Sequence, residues 1–295
     1  MNYHRAHIIG ILHAVCALPY PGEFPEVNTT RLSILSDEYI VDQHVASGSS
    51  TRVFRASRLS AHVSSLPEIV AVKCIRSDSP HLLSKPEREY RILRKLPKTP
   101  GLHIPEAFYL SPQWTCGKQS RCQFLVMTLG GPDLDRVVSK GIIPIEKAKL
   151  GPTVGHFESF VATIGLSLVQ ALDIMHSNGI VHGDIGTNNV ALPLSLEPHL
   201  FLIDFGQAKT KDELSENKFQ QSRIRDIRRT KHMLLRLLRM KLRQEDKSMH
   251  EQQFHRNRLF SLLFESSEEI NVLKKVLQDF LERELHLKYY GSVIW

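Results

Sequence analysis

The sequence predicts an α+β fold, with a small sheet-rich lobe followed by a larger helical one. Three observations carry this. Short β-branched runs crowd residues 38–129, a Gly130-Gly131-Pro132 break follows, and long helical patterns take over beyond it. The expected organisation is an N-terminal extension or linker over 1–37, a first lobe over 38–129 and a second lobe over 130–295.

The N-terminal stretch "HIIGILHAVCAL" is the one candidate targeting segment. Its histidines and poor cleavage site argue against a signal peptide. "PYPGEFPEVNTT", with three prolines, reads as a linker. No run approaches the roughly 18 apolar residues of a membrane span. The four cysteines, Cys16, Cys74, Cys116 and Cys122, form no CxxC pair, which argues against zinc and predicts reduced thiols in a cytoplasmic or nuclear protein. The 15 histidines are scattered and suggest no metal cluster. A net charge of +7 leans toward acidic partners, yet is too small to require nucleic acid.

"EYIVDQHVASG", "TRVFRASRL" and "EIVAVKCI" predict three successive strands, each closed by turn residues. "KPEREYRILRKL" has helical spacing, and "HIPEAFYLS" and "QFLVMTL" predict two more strands. Past the glycines, "FESFVATIGLSLVQALDIMHSNG" predicts a long helix with a buried face, stopped by Asn178-Gly179. "GIVH" and "LFLID" then predict paired apolar runs, with Asp184, Asn189 and Asp204 at their edges. Asp and Asn favour such edges because they bond their own backbone, so turn chemistry competes with metal binding as the explanation. "RIRDIRRTKHMLLRLL" predicts a helix with an apolar face and a solvated basic one; a dock for acidic protein or RNA phosphate is the competing reading.

The order of "VASGSSTRVF", "VAVK", "FLVMTLGGPDL", "HGDIGTNN" and "LIDFG" resembles a eukaryotic protein kinase over roughly residues 38–240. The segment 124–134 is similar to the casein kinase I and vaccinia-related kinase group. The resemblance implies a bilobal protein-kinase-like fold with a truncated second lobe, ATP and Mg²⁺ as cofactors, and transfer to serine or threonine hydroxyls of a protein substrate, with acidic proteins as candidates. It implies no membrane partner and leaves oligomeric state open.

On this resemblance Val45, Gly48 and Val53 belong to a phosphate-covering loop, although only one of its glycines remains and a plain hairpin turn competes. Ala71 flanks the adenine site, and Lys73 holds phosphates while pairing with Glu89. Glu87 is a rival to Glu89, which is preferred because Ile92 and Leu93 then fall where the helix packs. Met127 guards the back of the adenine pocket, and the backbone of Thr128, Leu129 and Gly130 bonds the base. Asp184 acts on the acceptor hydroxyl, while Asn189 and Asp204 bind the metal.

Two departures bear on activity. Gly183 stands where the family has an arginine, and Gly186 where it has a lysine near the transferred phosphate. Asp226 occupies the position whose carboxylate braces the catalytic loop, yet it follows Asp204 by only 22 residues, too few for the usual activation segment. A pseudokinase, binding nucleotide without transfer, is the alternative implied. Arg223, Arg225 or a side chain from a partner are the candidates to replace the missing lysine.

Overall fold

The structure, a computed structural model, describes residues 30–35, 37–48, 51–59, 66–77, 80–97, 104–115, 121–139, 154–192, 200–245 and 258–290. They form two compact units that meet in sequence at Leu129 and Gly130.

The first unit is a seven-stranded antiparallel sheet with one helix. Its strands are β1 (Thr30–Ile34), β2 (Asp37–Ser47), β3 (Thr51–Arg58), β4 (Ile69–Ser77), β5 (Ala107–Leu110), β6 (Trp114–Thr115) and β7 (Arg121–Thr128). The order is β1-β2-β3-β4-β7-β5, with β6 also on β7. Side chains alternate across a strand, so the register sorts residues into two faces. Tyr39, Val41, Phe54, Ala56, Val70, Val72, Cys74, Phe124 and Val126 cluster on one of them. Each large apolar side chain buried there contributes about 1.5–3 kcal/mol. The other face carries Lys73 opposite Val53 and Leu125, and Ala71 opposite Met127.

Three features depart from the sequence-based expectation. Residues 30–34, assigned to the extension, pair with β2, and Leu32 and Ile34 are fully buried. Helix α1 (Pro80–Lys95) starts five residues before the expected Lys85 and runs through Pro86. Cys122 is disulfide-bonded although reduced thiols were expected, while Cys74 is a buried thiol outside any disulfide.

The second unit is helical: α2 (Leu134–Ser139), α3 (Val154–Ser177), α4 (Glu216–Glu245), α5 (Arg258–Glu265) and α6 (Ile270–Tyr290). Two short antiparallel ribbons join them. One pairs β8 (Ile180–Val181) with β11 (Lys209–Thr210), the other β9 (Val190–Ala191) with β10 (Phe201–Leu202). Helix α3 packs on α4 and α6. Gly165 permits this, since a Cβ there would lie 2.7 Å from Leu234 Cδ1 and 3.2 Å from Leu277 Cδ1. The stretch Phe157–Ser177 has the length and hydropathy of a membrane span, beyond the apolar run counted from sequence. Its apolar residues are buried on several sides, from Val161 and Ala162 to Leu168, Leu172 and Met175, as in a core helix. Gly179, at φ +71°, ends α3 in the left-handed conformation that glycine adopts without strain.

Candidate functional site

In the first unit, strand β4 sends Lys73 to the face opposite the apolar cluster, where α1 packs. The Lys73 ammonium donates to Glu89 Oε1 at 3.0 Å and Oε2 at 2.8 Å. Both residues are buried, at 8% and 2% relative exposure. Glu89 is thus the partner of Lys73, while Glu87 on the same helix is exposed. Ile92 and Leu93 lie buried one turn further along.

Val53, Ala71 and Met127 share the Lys73 face of the sheet. Val45 lies within a register shift of β2, between His44 and Ala46. Gly48 donates its N–H to the Thr51 carbonyl at 2.8 Å, and a Cβ there would meet Thr51 Oγ1 at 2.6 Å. Ser49 and Ser50, the centre of the expected phosphate loop, lie outside the described residues. The Thr128 N–H is donated to the Glu106 carbonyl at 2.9 Å, which removes it from the donors assigned to a bound base. Leu129 and Gly130 retain the backbone positions proposed for that role.

In the second unit, Asp226 on α4 organises the loop after β8. Its carboxylate accepts from the His182 N–H at 2.8 Å and the Gly183 N–H at 2.9 Å. It also lies 3.2 Å from His176 Nε2. Asp226 is fully buried, so these donors replace the water it has lost. Gly183 adopts φ +79°, and a Cβ there would lie 3.1 Å from the Gln207 carbonyl oxygen. An arginine at 183 would be strained in this backbone, which glycine adopts freely.

His182 is buried beneath this loop, and its ring meets Phe205 edge-on at 4.9 Å. Burial pushes its pKa below the ordinary value, against the raising influence of Asp226, Asp204, the Ile203 carbonyl and Asp184. A neutral ring satisfies both neighbours. Nε2–H donates to the Ile203 carbonyl at 3.2 Å, and Nδ1 accepts from the Asp184 N–H at 3.3 Å.

Asp184 and Asn189 are brought together. Asn189 Nδ2 donates to the Asp184 backbone carbonyl at 2.8 Å and to its Oδ2 at 3.1 Å. The Asn189 carbonyl accepts from the Ile203 N–H at 2.9 Å, which ties the loop to the residue before Asp204. Asp204 itself sits at φ +62°, an uncommon left-handed position for a residue with a side chain, and its Oδ1 accepts from the Gly206 N–H at 3.4 Å. The Asn189 amide oxygen and Asp204 carboxylate are hard donors that suit Mg²⁺. Among the described residues no group of three or more His, Cys, Asp and Glu could hold a metal. A divalent ion here would complete its shell with phosphate and water, as Mg²⁺ commonly does.

Gly186 is extended, at φ −169°, and lends its carbonyl to the Asn189 N–H at 3.0 Å. Neither arginine expected to replace its missing lysine bonds the loop among the contacts of the described residues. Arg223 bonds Gln220 at 3.0 Å, and Arg225 is solvent-exposed. Arg229, which sequence reasoning passed over, donates from Nη1 to the Gly183 carbonyl and lies 3.4 Å from Asp184 Oδ1. Helix residues three apart share a face, so Asp226 as the loop's brace already pointed to Arg229. After Phe205, β11 and a single turn over Lys211–Glu213 lead straight into α4, with only Leu214 and Ser215 between.

No family model matches the chain. It is 27% identical over 194 residues to the Calcium/calmodulin-dependent protein kinase type 1 of Caenorhabditis briggsae, covering 63% of this chain and 47% of that protein. It is 24% identical over 205 residues to the Serine/threonine-protein kinase PknD of Protochlamydia amoebophila, covering 69% and 20%. It is 30% identical over 191 residues to the Casein kinase 1-like protein HD16 of Oryza sativa subsp. japonica, covering 62% and 24%. The chain therefore spans less than half the length of each of these relatives. Similarity to kinases of several groups supports the protein kinase superfamily and a kinase-like α+β fold, without selecting the casein kinase I or vaccinia-related subgroup.

Proposed function

We propose that this chain is an ATP- and Mg²⁺-dependent kinase that phosphorylates serine or threonine hydroxyls of a protein. The observation that carries this reading is the Asn189 amide bonded to both the carbonyl and the carboxylate of Asp184. A catalytic carboxylate must be held in position before it can act on a hydroxyl, and two bonds from one amide fix both its backbone and its side chain. The similarity to serine/threonine kinases supports the same reading.

Each residue then has a task. Lys73, held by Glu89, neutralises phosphate charge. Asp184 orients the acceptor hydroxyl and takes its proton as the oxygen bonds to the γ-phosphorus and the bond to the ADP oxygen breaks. Asn189 and Asp204 would hold Mg²⁺, whose contribution is to offset the charge of the phosphates. His182, neutral and buried, fixes the Asp184 backbone from below. The casein kinase I or vaccinia-related affinity, an acidic substrate preference and a cytoplasmic or nuclear site belong to this proposal as well.

Gly186 favours a second reading, nucleotide binding without transfer, because it removes a cation from beside the transferred phosphate. Radiolabelled ATP, the purified protein and an acidic protein substrate separate the two. Incorporation that needs Mg²⁺ supports the kinase, and Mg²⁺–ATP binding without incorporation supports the pseudokinase.

A further inference from the structure

We infer that Arg229 is a positioning residue that supplies, from helix α4, the cation missing at Gly186; this rests on the kinase reading above. The Asp184 carboxylate is held from two sides. Asn189 Nδ2 bonds Oδ2 at 3.1 Å, and Arg229 Nη1 faces Oδ1 at 3.4 Å. The same guanidinium nitrogen donates to the Gly183 carbonyl, so it is anchored to the loop that it orients. Neighbouring cations of α4 are directed elsewhere: Arg228 to Glu268 at 2.7 Å, and Lys231 to the Ser266 carbonyl.

The loop and α4 are built for this substitution. Asp226 carries the loop on its carboxylate and stands one helical turn before Arg229, so the brace and the cation arrive on one face of one helix. The absence of a long segment between β11 and α4 lets α4 begin soon after Asp204. Arg229 is partly exposed, with 41% of its side-chain surface accessible, and its charge lies beside Asp184 on the loop that carries Gly186. No proton is assigned to it: an arginine stays charged, while the hydroxyl proton goes to Asp184.

The test is reciprocal rescue. At Gly186 the extended backbone accepts any side chain, and a Cβ would meet only the end of the exposed Asn188 side chain, at 2.8 Å. Phosphotransfer is measured with Mg²⁺–ATP for wild type, Arg229→Ala, Arg229→Lys, Gly186→Lys and the Arg229→Ala/Gly186→Lys double variant, with ATP binding by calorimetry and melting temperature beside it. Arg229→Ala is expected to lower kcat by on the order of a hundredfold while ATP affinity changes by less than about threefold. Arg229→Lys should keep more activity than Arg229→Ala. Gly186→Lys should restore most of the loss in the Arg229→Ala background and do little in wild type. A purely structural Arg229 would lower the melting temperature and gain nothing from Lys at 186. An active wild type with an unimpaired Arg229→Ala overturns the inference and leaves the kinase reading standing. A gain from Gly186→Lys that is equal in both backgrounds also overturns it. ATP bound by every variant with transfer by none removes both the kinase reading and the inference.

Discussion

The Lys73 ammonium donates to both oxygens of the Glu89 carboxylate, at 3.0 and 2.8 Å, with each residue buried. Removing one partner strands the other charge away from water. Glu89→Ala should therefore lower stability by about 3–5 kcal/mol. Replacing the pair together, Lys73→Met with Glu89→Leu, should cost much less stability, because no lone charge remains. Both variants should lose ATP binding. Urea unfolding and calorimetry check the two effects separately, and a double variant less stable than Glu89→Ala would contradict this.

His182 carries a pH dependence. Its folded-state pKa lies below its unfolded value of 6.5, chiefly because burial opposes the charge. Protonation therefore favours the unfolded chain, and stability should fall as pH drops below about 6.5. A proton on Nδ1 would also confront the Asp184 N–H. Urea midpoints between pH 5 and 8 should decline more steeply in wild type than in His182→Gln. Parallel curves would show that other groups carry the dependence.

Asp204→Asn and Asn189→Ala should each abolish Mg²⁺-dependent transfer while leaving the fold intact, Asn189→Ala at a stability cost of about 1–3 kcal/mol for the bonds it loses. Asn189→Ala also removes the amide that fixes Asp184, so it should remain inactive even at high Mg²⁺. Recovery of Asn189→Ala by added Mg²⁺ alone would mean that positioning contributes little.

Much of this arrangement was legible from residue order. Lys73 in an apolar strand, Glu89 sixteen residues later and the Asp184–Asn189 interval were legible through the resemblance to protein kinases, whose order and spacing they share. What escaped depends on partners far away in sequence. Leu32 and Ile34 alternate with Arg31 and Ser33, a strand pattern, but five residues after a proline-rich tract gain their meaning only from pairing with β2. The helical spacing read from Lys85 onward gave no sign of the turn before it, and packing of α1 on the sheet outweighs the hydrogen bond that Pro86 omits. Arg229 was hidden among similar basic residues, because its contacts lie 45 and 46 positions away.

Control by phosphorylation of an activation segment has no evident place to act. The described stretch from Phe205 to α4 is short, and Gly183 cannot be an arginine without backbone strain. Protein made in bacteria and treated with phosphatase should be fully active. A large gain after treatment with an upstream kinase would count against this.

The most direct measurement is transfer of radiolabelled γ-phosphate by purified wild type and Asp184→Asn, with Mg²⁺–ATP binding followed in the same preparations. Asp184 touches the acceptor hydroxyl in the proposed reaction and is no ligand of the nucleotide. Wild type is expected to label a protein hydroxyl, and Asp184→Asn to bind ATP equally well while losing at least about a hundredfold in rate. Equal labelling by both proteins, or binding without labelling in wild type, would contradict the kinase reading.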